Sequence, residues 1–245
     1  MIKFFRKIRY DFMEKNKTGK YFKYAIGEIV LVVIGILIAL SINNWNENRK
    51  DEKRIDAFIQ KLKTQTENNI TKIVNNIQYF DSNYQTSIRL ISIIGTDATT
   101  NIEAKIDSLV DVNSDDYHLN LDLNVVIEDR ENGDIALLKS DILRQELYNL
   151  STENAALIER ERIINEDLNI LFVPYLNKNF NYRNGTFLKN IGKSNLYKGD
   201  NSKMLNAQEF ENYIINRIEY NHSTLQLYKK MKQDLEAMSQ LLSSI

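Results

Sequence analysis

The chain has 245 residues, with 32 basic and 33 acidic side chains and a formal net charge of −1. This balance leaves no general excess of positive charge for a phosphate backbone, which argues against nucleic-acid binding. The absence of cysteine excludes a disulfide framework and a thiolate metal site, and it fits an oxidising or a reducing compartment equally well.

An apolar segment runs from Tyr24 to Ile42 and contains one charged residue, Glu28. As a helix its 19 residues would span about 28 Å, which matches the roughly 30 Å of a hydrocarbon core, so it predicts a transmembrane helix. The alternative is a signal peptide cleaved near Ala39 and Ser41, whose apolar core would usually be about 7 to 15 residues. The length of the run favours an uncleaved anchor.

The charges on either side of this segment predict its orientation. Eight basic residues and two acidic residues precede it, whereas basic and acidic residues nearly cancel just after it. The positive-inside rule then predicts a cytoplasmic tail (1–23), a transmembrane helix (24–42) and a periplasmic domain (43–245) of an inner-membrane protein. Tyr24 and Trp45 stand where the two aromatic belts are expected.

The N-terminal tail combines aromatic and basic residues. Phe4, Phe5, Ile8 and Phe12 fall on one side of a helix, which is typical of an interfacial helix on anionic lipid. The alternative is a disordered basic tail that serves only topology. The sequence "NKTG" predicts a turn before the membrane span.

Two stretches carry a resemblance to a known family, "MIKFFRKIR" and "GKYFKYAIGEIVLVVIGILIALSINNWNE". They resemble the N-terminal signature of a family of uncharacterised single-pass membrane proteins of Gram-negative bacteria, a domain of unknown function. Looser similarity continues in "NGDIALLKSDILRQEL" and "LNAQEFENYIINRI". The resemblance implies a membrane protein and implies no activity.

After Trp45 the apolar residues recur every three or four positions in three long segments, which predicts three long helices. The first stripe comprises Ile55, Ile59, Leu62, Ile70, Ile73, Ile77, Phe80, Tyr84, Ile88 and Ile91, with Thr66 in a gap, and stops at Gly95. The second comprises Leu143, Leu147, Leu150, Leu157, Ile164, Leu168 and Leu171, and stops at Pro174. The third comprises Phe210, Ile214, Ile218, Leu225, Tyr228, Met231, Leu235, Met238 and Leu242, with Asn206 as N-cap and Glu209 in a capping box.

These stripes predict an all-α fold: the membrane helix followed by an antiparallel bundle with coiled-coil-like packing. No helix breaker separates Ile42 from Ile55, so the membrane helix is expected to continue into the first bundle helix. A short helix is predicted near 102–110. The period-two pattern of Leu119, Leu121, Leu123 and Val125 predicts a short strand or an extended strap across the bundle. Residues 181–203 predict a long loop.

The sequence offers little for catalysis or metal binding. Asp111, Asn113 and Asp115 match only the opening of a calcium loop, so a solvated acidic loop is preferred. Glu219 and His222 form a single E-x-x-H, whereas a di-iron bundle site needs two. Nucleotide-binding and nucleophile motifs are missing, so we expect no enzyme and no cofactor.

One surface of the membrane helix is a candidate for self-association. Gly35 and Ala39 are four residues apart, Gly27 lies about two turns earlier, and such small residues let helices approach closely. Glu28 lies about one turn inside the cytoplasmic edge, where an ionised carboxylate is tolerated or finds a partner. A monomeric anchor is the alternative.

Two classes of function therefore remain. The first is an envelope interaction or structural module that is anchored in the bilayer, forms a homo-oligomer and contacts another envelope or inner-membrane protein. The second is a sensor or transport accessory subunit, in which a bundle continuous with the membrane helix transmits ligand binding or Glu28 takes part in proton coupling. Because the sequence ends in the bundle, with no output domain, the first class is favoured.

Overall fold

The computed structural model describes residues 18–96, 103–184 and 201–245, together with positions 10, 192 and 196. The predictions for the amphipathic tail and for most of the loop at 181–203 fall outside these residues. Every regular element within the described part is helical, so the all-α prediction is confirmed. Of the two alternatives for the period-two segment, the short strand is not formed and the extended strap is observed at residues 115–123.

The helices are numbered here in chain order. They are α1 (Thr18–Ile91), α2 (Glu103–Asn113), α3 (Asn124–Asn132), α4 (Asp134–Leu137), α5 (Asp141–Asp167), α6 (Val173–Asn179) and α7 (Gln208–Ser243). A π-helical turn, Leu168–Phe172, joins α5 to α6, and 3-10 turns occupy Tyr182–Asn184 and Asn201–Asn206. The predicted continuity of the membrane helix with the first bundle helix is confirmed, because α1 contains both.

The chain divides into two compact units, Met1–Ala57 and Phe58–Ile245. Among the residues that the structure describes, one helix, α1, is long and apolar enough to cross a membrane, and none of the side chains in its apolar window is buried within the protein. Leu31, for example, is 70% exposed. The helix already includes Thr18 and Gly19, so the turn predicted from "NKTG" does not extend to these two residues.

The second unit is a bundle in which α7 runs antiparallel to both α1 and α5. Along α1, Thr66 contacts Met238, Phe80 packs on Tyr228, and Ser87 bonds Asn221. Along α5, Lys230 pairs with Glu153, whereas Ser223 bonds Arg160 further along that helix. Because the partner numbers fall on α7 as they rise on the other two helices, the antiparallel bundle prediction is confirmed.

Local chemistry explains where the helices begin and end. The Ser140 side chain accepts a hydrogen bond from the Leu143 backbone N–H at 3.2 Å, which caps the start of α5. After Ile91, a turn ends at Gly95, whose φ of +74° favours glycine and whose N–H donates to Leu205 O at 2.9 Å. The end of α1 is thereby tied to the turn at 201–206.

The prediction that the second long helix stops at Pro174 is wrong. The π turn at Leu168–Phe172 comes directly before α6, and Pro174 lies in the first turn of α6, where its missing N–H costs least. The wider turn also shifts the helical register by about one residue. As a result Phe172 is buried, whereas Leu171, which the stripe placed in the core, is 45% exposed.

The predicted capping box at the start of the third long helix is also wrong. Asn206 closes a 3-10 turn, and the N-cap of α7 is Ala207, an extended residue that makes no side-chain cap. Glu209 instead accepts a hydrogen bond from the Tyr213 hydroxyl at 3.2 Å. The tertiary position of the turn at 201–206, which buries Met204 and Leu205, therefore overrides the local capping signal.

Residues 115–123 form an extended segment, here called the strap, between α2 and α3. Tyr117, Leu119 and Leu123 are buried, and the Tyr117 ring stacks on Phe80 at 4.3 Å between centroids. Leu121 is only half-buried, so the strict period-two prediction is wrong at this position. Asn120 has a φ of +48°, which breaks the extended alternation between Leu119 and Leu121.

Candidate functional site

The apolar segment of α1 carries its predicted association residues on an open surface. Gly27, Gly35, Ala39 and Trp45 are exposed, and Glu28 is half-buried. A methyl group added at Gly27 or Gly35 would meet nothing within 4 Å. At about 100° per residue, Glu28, Gly35 and Ala39 share one face, whereas Gly27 lies about 80° around the helix from Gly35. The face that could receive another helix therefore carries Glu28 rather than Gly27.

The strap is held by side chains of the long helices that bond to its backbone. Asn165 of α5 accepts from Tyr117 N–H at 2.8 Å and donates to Tyr117 O at 2.9 Å. Asn69 of α1 accepts from Asp122 N–H at 2.8 Å and donates to Asp122 O at 2.6 Å. Each amide side chain thus pairs with a strap residue as a neighbouring β-strand would, which satisfies backbone groups that burial would otherwise leave unpaired.

Glu161 of α5 holds the middle of the strap. Its Oε1 accepts from Leu119 N–H at 3.1 Å and from the Tyr228 hydroxyl of α7, and the residue is only 5% exposed. Burial raises the pKa of the Glu161 carboxyl above its ordinary value, and the bond from Tyr228 opposes this shift. One carboxyl group therefore connects α5, the strap and α7.

A second group of buried polar side chains connects α1, α2 and α7. The Ser87 hydroxyl donates to Asn113 Oδ1 at 2.5 Å and accepts from Asn221 Nδ2 at 3.2 Å. Asn221 Oδ1 accepts from the hydroxyl of Tyr117, and burial raises the pKa of that hydroxyl to about 12. These bonds fix the relative register of the helices, because any slip would leave buried groups unpaired.

Arg217 lies next to this group and is 3% exposed. Its Nη2 donates to Asp115 O at 3.0 Å, and its guanidinium lies 5.0 Å from the centre of the Tyr117 ring. Within the described part of the chain, its Nε and Nη1 have no hydrogen-bond partner. A buried guanidinium with a single hydrogen bond is expected to stabilise the bundle little.

The residues predicted as weak metal candidates lie in α2, at the start of the strap and on α7. Asn113 is part of α2 and is buried, and Asp115 accepts a hydrogen bond from Tyr79. His222 is exposed, and its ring lies 5.9 Å from that of Tyr84. No group of three His, Cys, Asp or Glu side chains suited to a metal ion occurs among the described residues.

The apolar stripes did not predict which polar side chains are buried in the bundle. Ile70 and Ile218 were expected in the core, but each is only half-buried, and the adjacent residue, Asn69 or Arg217, is buried instead. The buried polar residues of the three long helices are Gln65, Thr66, Asn69, Asn83, Ser87, Glu161, Arg217, Asn221 and Thr224. Thr66 is the one residue of this group whose burial the sequence indicates, because it fills the gap in the first apolar stripe.

A family model described as a family of unknown function, DUF6090, matches residues 28–169. This range covers more than half of the chain and includes most of the apolar segment 24–42, the strap and all of α5. The chain belongs to this family. No curated protein and no solved structure matches the chain. Membership of this family assigns no activity to the chain.

Proposed function

We propose that the chain is a single-pass protein of a bacterial inner membrane, anchored by residues 24–42 with the tail in the cytoplasm and the bundle in the periplasm. The observation that supports anchoring is that none of the side chains in the apolar window of α1 is buried within the described protein. Lipid or another apolar helix is the environment in which such a surface is stable. The flanking charges support the orientation.

The function proposed for it is that of a non-enzymatic interaction module that self-associates through the membrane helix. Glu28, Gly35 and Ala39 lie on one face of α1, and the small residues allow a second copy to approach closely. The bundle, with its strap bonded to the long helices, could present a surface to another envelope or inner-membrane protein. The bilayer and a second copy are the proposed first partners.

The absence of cysteine allows a direct test in native membranes. A single cysteine at Ile42 lies seven residues from Gly35 on the association face, and one at Asn44 lies nearly opposite at similar depth. Thiol crosslinking should produce dimers strongly with Ile42→Cys and weakly with Asn44→Cys. Adding Gly35→Leu should remove the dimer, whereas Val30→Leu on the opposite side should leave it unchanged. Equal crosslinking of all variants would refute association through this face.

The second candidate is a sensor or transport accessory subunit. One observation favours it: α1 carries both the apolar segment and the buried polar positions Asn69 and Ser87. Glu28→Gln separates the two proposals, because it keeps the hydrogen-bonding shape of the side chain and removes its charge. Unchanged crosslinking with lost cellular phenotype and a co-purified multi-span protein would support the accessory role. Unchanged crosslinking with a normal phenotype would support the interaction module.

A further inference from the structure

Three elements meet at the carboxyl group of Glu161. Leu119 of the strap and Tyr228 of α7 both donate to its Oε1. Leu119 is 2% exposed and Tyr228 is fully buried, so water has little access to this junction. Since both donors converge on one oxygen, a proton on the other oxygen leaves both hydrogen bonds in place.

The surroundings of the carboxyl group favour its neutral form. Burial is the largest influence on the Glu161 pKa and raises it, while the bonds from Tyr228 and Leu119 and the field of His118 oppose the shift. From α7 the carboxyl faces the Tyr228 hydroxyl, whose own pKa is raised by burial and by Glu161. From α1, the cation bonded to the strap is the exposed Lys72, which donates to Asn120 O at 2.8 Å.

We propose that Glu161 is a protonation-operated latch on the strap. The protonated carboxyl holds residues 117–122 closed against the bundle, and the ionised carboxyl favours a local opening in which water reaches it. The amides of Asn69 and Asn165 do not titrate and hold the two ends of the same stretch, so the latch acts on its middle. This property of the bundle is independent of self-association in the membrane.

The direction of the pH effect follows from linkage. The closed form holds its proton more tightly than the open form, in which a hydrated Glu161 returns to its ordinary pKa of 4.5. The opening constant is therefore flat below this value, rises as pH increases toward the raised pKa, and is flat again above it. The total rise is about tenfold for each unit by which the two pKa values differ.

Native-state hydrogen exchange of the full chain in detergent micelles tests the latch. We expect the protection of the Leu119 amide, which donates to Glu161, to fall as pH rises from about 4 to 8 after correction for intrinsic exchange. Glu161→Gln, which imitates the protonated carboxyl, should make this protection independent of pH. The matched control is Glu159→Gln on the same helix, where the exposed carboxylate pairs with Arg162, and it should behave as the wild type.

Tyr228→Phe provides a second variant in case Glu161→Gln does not fold. Loss of the hydroxyl removes a bond that lowers the Glu161 pKa, so the rise in opening should extend to higher pH. Protection that does not change with pH in the wild type would overturn the proposal. So would a rise that persists in Glu161→Gln, because it would assign the effect to other carboxyls such as Asp111, whose pKa burial also raises.

Discussion

Replacing Leu119 with alanine tests how firmly the strap belongs to the core. The side chain is 2% exposed and lies between residues bonded to Asn165 and Asn69, which hold the backbone in place and limit collapse of a cavity. A buried Leu→Ala change usually costs about 2 to 5 kcal/mol. For a domain of about 150 to 250 residues this corresponds to a loss of roughly 4 to 20 °C in melting temperature.

Leu121→Ala is the matched control, because it changes the same residue type two positions away in the same segment. Leu121 is only half-buried, so part of its apolar area is already in water and the cost should stay below about 1.5 kcal/mol. Thermal unfolding of the full chain in detergent, followed by circular dichroism, measures both values. Equal shifts for the two variants would refute the strap geometry, and no shift for Leu119→Ala would show that the strap is solvated.

Two further predictions concern the buried polar side chains. Asn165→Ala should destabilise the bundle by about 1 to 3 kcal/mol, because it leaves Tyr117 N–H and O without their partner. Asn149→Ala should cost less, because the side chain of Asn149 accepts a hydrogen bond from the Gln145 side chain and holds no strap backbone, and equal costs in urea unfolding would contradict this. Arg217→Met should stay within about 1.5 kcal/mol of the wild type by the same assay, because the guanidinium makes a single hydrogen bond to the described residues, and a loss above about 3 kcal/mol would show that it has a stronger partner.

The sequence was sufficient to predict the arrangement of the helices, because three long apolar stripes can be buried together in few ways other than a bundle. The three stripes, the continuity of α1 and the strap between α2 and α3 were all visible as periodicity or its interruption. The boundaries were less predictable. Pro174 predicted a helix end and Asn206 predicted an N-cap. Instead, a π turn comes directly before α6 and Pro174 lies in the first turn of that helix, whereas Asn206 ends the buried turn at 201–206 and the N-cap of α7 is Ala207.

The bonded side chains of the candidate site were not predictable from periodicity. Asn69, Asn165 and Glu161 resemble ordinary polar residues at the edge of an apolar stripe, and their role depends on the strap, which is distant in sequence. An asparagine that pairs with a backbone has the same local pattern as one that faces solvent. The apolar segment of α1 is the opposite case, because composition alone predicts a membrane span there and its proposed partners lie outside the chain.

Retention of the intact chain in washed membranes tests the central claim most directly. Membranes from cells that produce the protein would be stripped with alkaline carbonate, and the retained protein would be analysed by intact mass and N-terminal sequencing. We predict full-length protein in the membrane fraction, as the proposal that residues 24–42 are an uncleaved anchor requires. Release of the protein by carbonate, or a mature N-terminus near Ala39 to Ser41, would contradict the anchor and with it the proposed association.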